Sequence, residues 1–140
     1  MRYEIEVQDV FSAAHALRLL DGSMEPMHGH DWRVTVCLGA DTLDAMETVT
    51  DFHPVHAALE TVLAPWRNQC LNDKPPFLGA GDHPAESGLA INPSAERVAQ
   101  AVAEGLAVAL FEVAQPEAPR PRVLWARVTE AAGCAAVFRP

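Results

Sequence analysis

The sequence predicts an α+β domain: a four-stranded antiparallel sheet with two helices on one face, in the order ββααββ. Three observations predict it. Both ends of the chain alternate apolar and polar residues at strand period, the middle holds two stretches with apolar residues at helical spacing, and turn-forming residues separate them. Hairpins on either side of a helical pair close most simply into one antiparallel sheet, with the helices packed on one face. At 140 residues and 15.1 kDa the chain reads as a single domain, 1–140, large enough to bury a core unaided.

The elements follow in order. Tyr3, Ile5 and Val7 alternate with Glu4, Glu6 and Gln8, which predicts a first strand with one wet face. Asp21-Gly22-Ser23 marks a turn. Residues 28–40, beginning His28-Gly29-His30-Asp31-Trp32 and continuing through Val34, Val36 and Leu38, form the second strand, and Gly39-Ala40-Asp41 ends it. Val55, Leu59, Val62 and Leu63 fall on one helical face, with Asp51 placed to cap that helix and Pro65 to close it. A proline- and glycine-rich stretch over 72–92 predicts a long irregular loop, a length that in compact domains usually serves function or motion. Asn92-Pro93-Ser94 opens the second helix, which runs through Val98, Val102, Leu106 and Leu110. Strands over Arg122–Glu130 and Ala135–Phe138 complete the order, with a turn at Ala131-Ala132-Gly133.

Composition narrows the function classes. A net charge of −9 argues against a nucleic-acid or anionic-membrane partner, while leaving room for an anionic small molecule in a locally basic pocket. Three cysteines, none in a CxxC, suit a reducing compartment, and no secretory leader or membrane-length apolar run is present, so a cytoplasmic location is expected.

The chemistry centres on His28 and His30. Alternate residues of a strand share a face, so the two imidazoles point the same way with Gly29 between them. His15 lies upstream in Phe11-Ser12-Ala13-Ala14-His15. Three histidines with an open fourth position make up the ligand set of a catalytic zinc site, although histidines held by ordinary hydrogen bonds are the plainer alternative.

FSAAH followed by HGHDW resembles the signature of the 6-pyruvoyl-tetrahydropterin synthase and 6-carboxy-tetrahydropterin synthase family. Four further stretches extend the resemblance along the chain: Thr50-Asp51-Phe52, Cys70-Leu71-Asn72, Pro93-Ser94-Ala95-Glu96-Arg97-Val98-Ala99 and Thr129-Glu130. The resemblance implies the T-fold, in which subunits join their sheets into a barrel. It implies a homo-oligomer, a trimer or a hexamer of two trimers, with sites at subunit boundaries. It implies that His15, His28 and His30 hold Zn2+, and that Glu130 anchors a pterin ring through paired hydrogen bonds. Ser94 and Ala95 would offer hydroxyl and backbone groups to the same ring, though Ser94 can equally serve as a helix N-terminal residue.

The sequence departs from the family's pattern where protons are moved. The usual cysteine falls on Met24, and the usual Asp-His pair falls on Arg67 and Asn68, none of which titrates near neutrality. Two replacements are candidates: Glu25, three residues before His28, as a carboxylate base, and Asp82-His83 in the long loop. Arg67 could pair with a carboxylate or phosphate of the substrate. His53 and His56 lack an evident third ligand and are read as surface or interface residues. The expected activity is a zinc-dependent lyase on 7,8-dihydroneopterin triphosphate or a close pterin. The alternatives are a catalytically silent zinc- and pterin-binding homologue, or an enzyme on a different pterin.

Overall fold

The computed structural model describes residues 1–78, 91–113 and 120–140. Its elements are β1 (Tyr3–His15), β2 (His28–Ala40), α1 (Phe52–Leu63), β3 (Gln69–Cys70), α2 (Ala95–Val113), β4 (Arg122–Ala131) and β5 (Cys134–Phe138). The sheet order is β3-β1-β2-β4-β5, antiparallel throughout except for β3, which runs parallel to β1. The expected ββααββ framework holds, with one correction and one extension.

First, the sheet has five strands, not four. Asn68 adopts a left-handed conformation (φ 57°) and donates its N–H to Ser12 O at 2.7 Å. That turn lays Gln69 and Cys70 beside Ala13 and Ala14. Two residues carry no readable period. Second, β1 extends past the Tyr3–Gln8 alternation to His15, paired with β2 from Tyr3↔Ala40 to His15↔His28. Beyond Val7 its buried face is carried by Phe11, Ala13 and His15, so the apolar alternation thins just where chemistry begins.

The core lies between that face and the helices. Val7, Phe11, Trp32, Val34, Val36, Ala126 and Val128 are buried there against Val55, Leu59, Leu63, Val98, Val102 and Leu106. Asp51 caps α1 by accepting the His53 N–H at 3.0 Å. Gly105 lets the helices approach closely, since a Cβ there would lie 3.1 Å from Val62. β3 covers β1 only at Ala13 and Ala14, so among the described residues most of that edge is unpaired, as is the outer edge of β5.

Candidate metal centre

The ends of three strands converge. Pairing of His15 with His28 across β1 and β2 brings two imidazoles together, and His30 follows two residues along the same face. Ring centroids are 4.7 Å apart for His15–His28, 5.1 Å for His15–His30 and 4.8 Å for His28–His30. Trp32 underlies the group, its ring centre 4.8 Å from His15 and 5.4 Å from His30. Its indole N–H donates to Ala13 O at 3.1 Å, and its ring stacks on Phe11 at 6.0 Å. The floor of the site is thus fixed by an aromatic pair.

Backbone carbonyls set the histidine tautomers. Nδ1 of His15 lies 2.7 Å from Pro93 O, and Nδ1 of His28 lies 2.8 Å from Pro26 O. A carbonyl only accepts, so each Nδ1 carries the hydrogen, and in the neutral ring each Nε2 presents a lone pair to the cluster. Burial holds His30 below the usual histidine range, against the pull of Glu130 and with the help of the neighbouring imidazoles, so its neutral form is favoured too.

The fourth member is Glu130. Its Oε1 stands 2.9 Å from His30 Nε2 and 3.2 Å from His15 Nε2, yet neither nitrogen makes a hydrogen bond of acceptable geometry, and both are buried. With its hydrogen on Nδ1, a His15 ring presents its Nε2 lone pair to a carboxylate oxygen, an arrangement a cation between them would relieve. One ligand atom from each of His15, His28, His30 and Glu130 lies within 4.8 Å of all the others. Tetrahedral zinc with bonds of about 2.0–2.1 Å places its ligands about 3.3 Å apart, a short contraction from this arrangement. Three imidazoles and a carboxylate are a donor set zinc accepts, so the residues present fit a metal.

Glu130 was expected to hold a ring and here turns onto the histidines. The face it occupies was readable, since Ala126 and Val128, its even-numbered predecessors on β4, are both fully buried. The register of β4 and β5 shifts between Thr129 and Ala131, so pairing is irregular just where Glu130 sits.

The other candidates are distributed unevenly. Glu25 is close: its Oε1 lies 3.9 Å from His28 Nε2 and accepts the Leu17 N–H at 3.0 Å, while its own N–H donates to Leu17 O at 2.9 Å. Ser94 Oγ accepts the Arg97 N–H at 3.3 Å, the bond of a helix cap, and Ala95 begins α2. Both follow Pro93, whose carbonyl touches His15, so α2 starts at the rim of the cluster. Arg67 is not brought there. Its guanidinium donates to Glu60 at 2.6 Å, Asp9 at 3.0 Å and Val10 O at 2.8 Å, tying α1 to β1. Asp82 and His83 lie outside the described residues. A cleft of about 540 Å³ opens beside His30, lined by Gly29, Asp31, Asn68 and Cys70 among others.

Two asparagines hold the segment after His15: Asn72, read only as part of the family resemblance, and Asn92, read as the cap of the second helix, a cap that Ser94 supplies instead. Asn72 accepts the Ala16 N–H at 3.0 Å and donates to Ala16 O at 2.8 Å. Asn92 does the same to Arg18, at 2.8 and 2.9 Å. With Glu25 on Leu17, three consecutive residues are each gripped as a neighbouring strand would grip them.

Comparison with known proteins agrees with this geometry. The model of the 6-pyruvoyl tetrahydropterin synthase family matches residues 4–140. The chain belongs to that family. No curated protein matches the sequence. Among solved structures, 6-pyruvoyl tetrahydropterin synthase from Caenorhabditis elegans superposes with a TM-score of 0.74 at 18% identity, covering 99% of this chain and 95% of that one. The Plasmodium vivax enzyme gives 0.69 at 15% identity, covering 99% and 97%. A Plasmodium vivax variant with a glutamate described as a catalytic residue replaced by alanine gives 0.63 at 14% identity, covering 99% and 97%. These likenesses show the fold, the T-fold of the family. Among the described residues no helix is long and apolar enough to cross a membrane.

Proposed function

We propose that this protein is a zinc-dependent pterin lyase acting on 7,8-dihydroneopterin triphosphate or a close relative. The observation that carries the reading is the convergence of His15, His28 and His30, with orphaned ring nitrogens, in a chain matched along residues 4–140 by the synthase family. Zinc, when bound by these histidines, supplies a Lewis acid that eases removal of protons from the substrate's side chain. Glu25 takes the proton. Its carboxylate is oriented by the Leu17 N–H and sits beside His28, in reach of a group held there. That a glutamate is described as catalytic in the Plasmodium vivax enzyme supports giving this role to a carboxylate. Ser94 and the Ala95 backbone meet the ring, Glu130 reaches it when turned from the histidines, and Asp82-His83 is a second source of a proton relay. The edges of β1 and β5 that lack a partner strand among the described residues support assembly into a trimer or hexamer with sites at subunit boundaries.

Glu25→Gln tests the assignment. The variant keeps its zinc and loses turnover by about 10²- to 10⁴-fold; unchanged turnover would refute Glu25 as the base. A second reading, a silent pterin-binding homologue, is favoured by Met24, Arg67 and Asn68 standing where the family moves protons. It predicts pterin binding without turnover on any pterin, whereas an enzyme for a different pterin turns over only that one.

A further inference from the structure

We infer that Glu130 is a displaceable fourth metal ligand, closing the centre in the ligand-free protein and leaving it when a ligand enters. The inference rests on the metal reading above and goes beyond it. Four protein ligands make a closed site of structural type, whereas a catalytic site keeps one position open. The two are reconciled if one ligand can leave.

The structure separates Glu130 from His15 and His28 in just this respect. The His15 side chain is 1% exposed and locked through Pro93 O, and His28, although 40% exposed, is locked through Pro26 O, whereas among the described residues no such lock holds Glu130. The Glu130 side chain is 27% exposed, and among the described residues the close polar partners of its carboxylate are histidine nitrogens of the cluster alone. Its backbone sits where the β4–β5 register shifts, and its pairing with β2 has already ended at Thr129. Among the described residues, turning this side chain therefore breaks no hydrogen bond beyond the histidine cluster. An oxygen donor of the incoming molecule takes the vacated position, and the freed carboxylate becomes available to the donor edge of a ring. One residue would thus link metal coordination to ligand recognition.

The test uses the full chain loaded with Co2+ in place of zinc, with metal affinity and the visible Co2+ spectrum as readouts and the oxidised pterin neopterin as probe. Glu130→Gln is expected to weaken metal binding at least about tenfold, as loss of a partner at a metal site does, and to change the ligand-free spectrum. Glu130→Asp, too short to reach, weakens it likewise. Neopterin is expected to shift the wild-type spectrum but to leave that of Glu130→Gln nearly unmoved. Affinity and spectrum unchanged in Glu130→Gln would overturn the inference. If His28→Ala then still abolishes metal uptake, the metal centre stands and only the exchange fails. Wild-type protein that takes up no metal would overturn both.

Discussion

Replacing Asn72 with alanine probes how the site is held. Asn72 is 4% exposed, and its carboxamide satisfies both the N–H and the C=O of Ala16, itself 2% exposed and next to His15. The methyl group of alanine can do neither, and the interior offers Ala16 no water in exchange. Each buried group left without a partner costs about 1–3 kcal/mol, so the pair costs about 3 kcal/mol. For a chain of this size about 3–4 °C of melting temperature goes with each kcal/mol, which gives a fall of about 10 °C. Asn92→Ala removes the same two bonds from Arg18 in a half-buried setting, where water can replace them, and should cost about 1 kcal/mol. Calorimetric melting of both variants, free of metal, measures the two. Zinc affinity should also fall in Asn72→Ala, because the chain carrying His15 loosens. A drop below about 3 °C for Asn72→Ala, or a larger loss for Asn92→Ala, would refute the reasoning.

Two further outcomes follow. Arg67→Ala should cost about 1 kcal/mol in urea denaturation, the usual worth of a partly exposed ion-pair network, and leave zinc and pterin affinity unchanged; weakened pterin binding would instead place Arg67 on the substrate. Asp51 is held below the usual carboxylate range, first by the His53 backbone N–H and then by its side chain; Thr48 does the same for Asp44, and the Arg67 side chain for Glu60. Groups with lowered folded values add stability that is complete above their unfolded values near 4 and drains away as pH falls through the folded ones. The urea midpoint should therefore fall as pH drops below about 6.5, where unfolded His30 gains a proton that its buried folded form resists, and fall further below pH 4, that second loss being smaller in Asp51→Asn.

Much of the fold was legible because its elements obey their periods. Val34, Val36 and Leu38 alternate, and Val98, Val102 and Leu106 step along a helix, so local pattern and tertiary burial agree. β3 was not legible, since two residues joined to β1 by one left-handed asparagine leave no pattern. The histidines were legible because strand parity puts His28 and His30 on one face. Bringing His15 to them needed the 13-residue pairing of β1 with β2, which no local signal reports. Glu130 was found for its position at a strand end, and strand parity after Ala126 and Val128 puts it on the buried face that carries the histidines. Arg67 offered a charge without an address; only the fold shows that Glu60 and Asp9 occupy it. The asparagine clamps join residues 56 and 74 positions apart, a distance over which sequence spacing carries no information.

The most direct measurement is the mass of whatever zinc-loaded protein makes from 7,8-dihydroneopterin triphosphate. The account predicts loss of the triphosphate with appearance of a pyruvoyl, carboxy or hydroxymethyl pterin, and none of it from His28→Ala. Substrate recovered intact, with zinc bound and the pterin held tightly, would contradict a lyase acting on this substrate; if no other pterin is turned over either, the family's zinc site persists here in a binding protein.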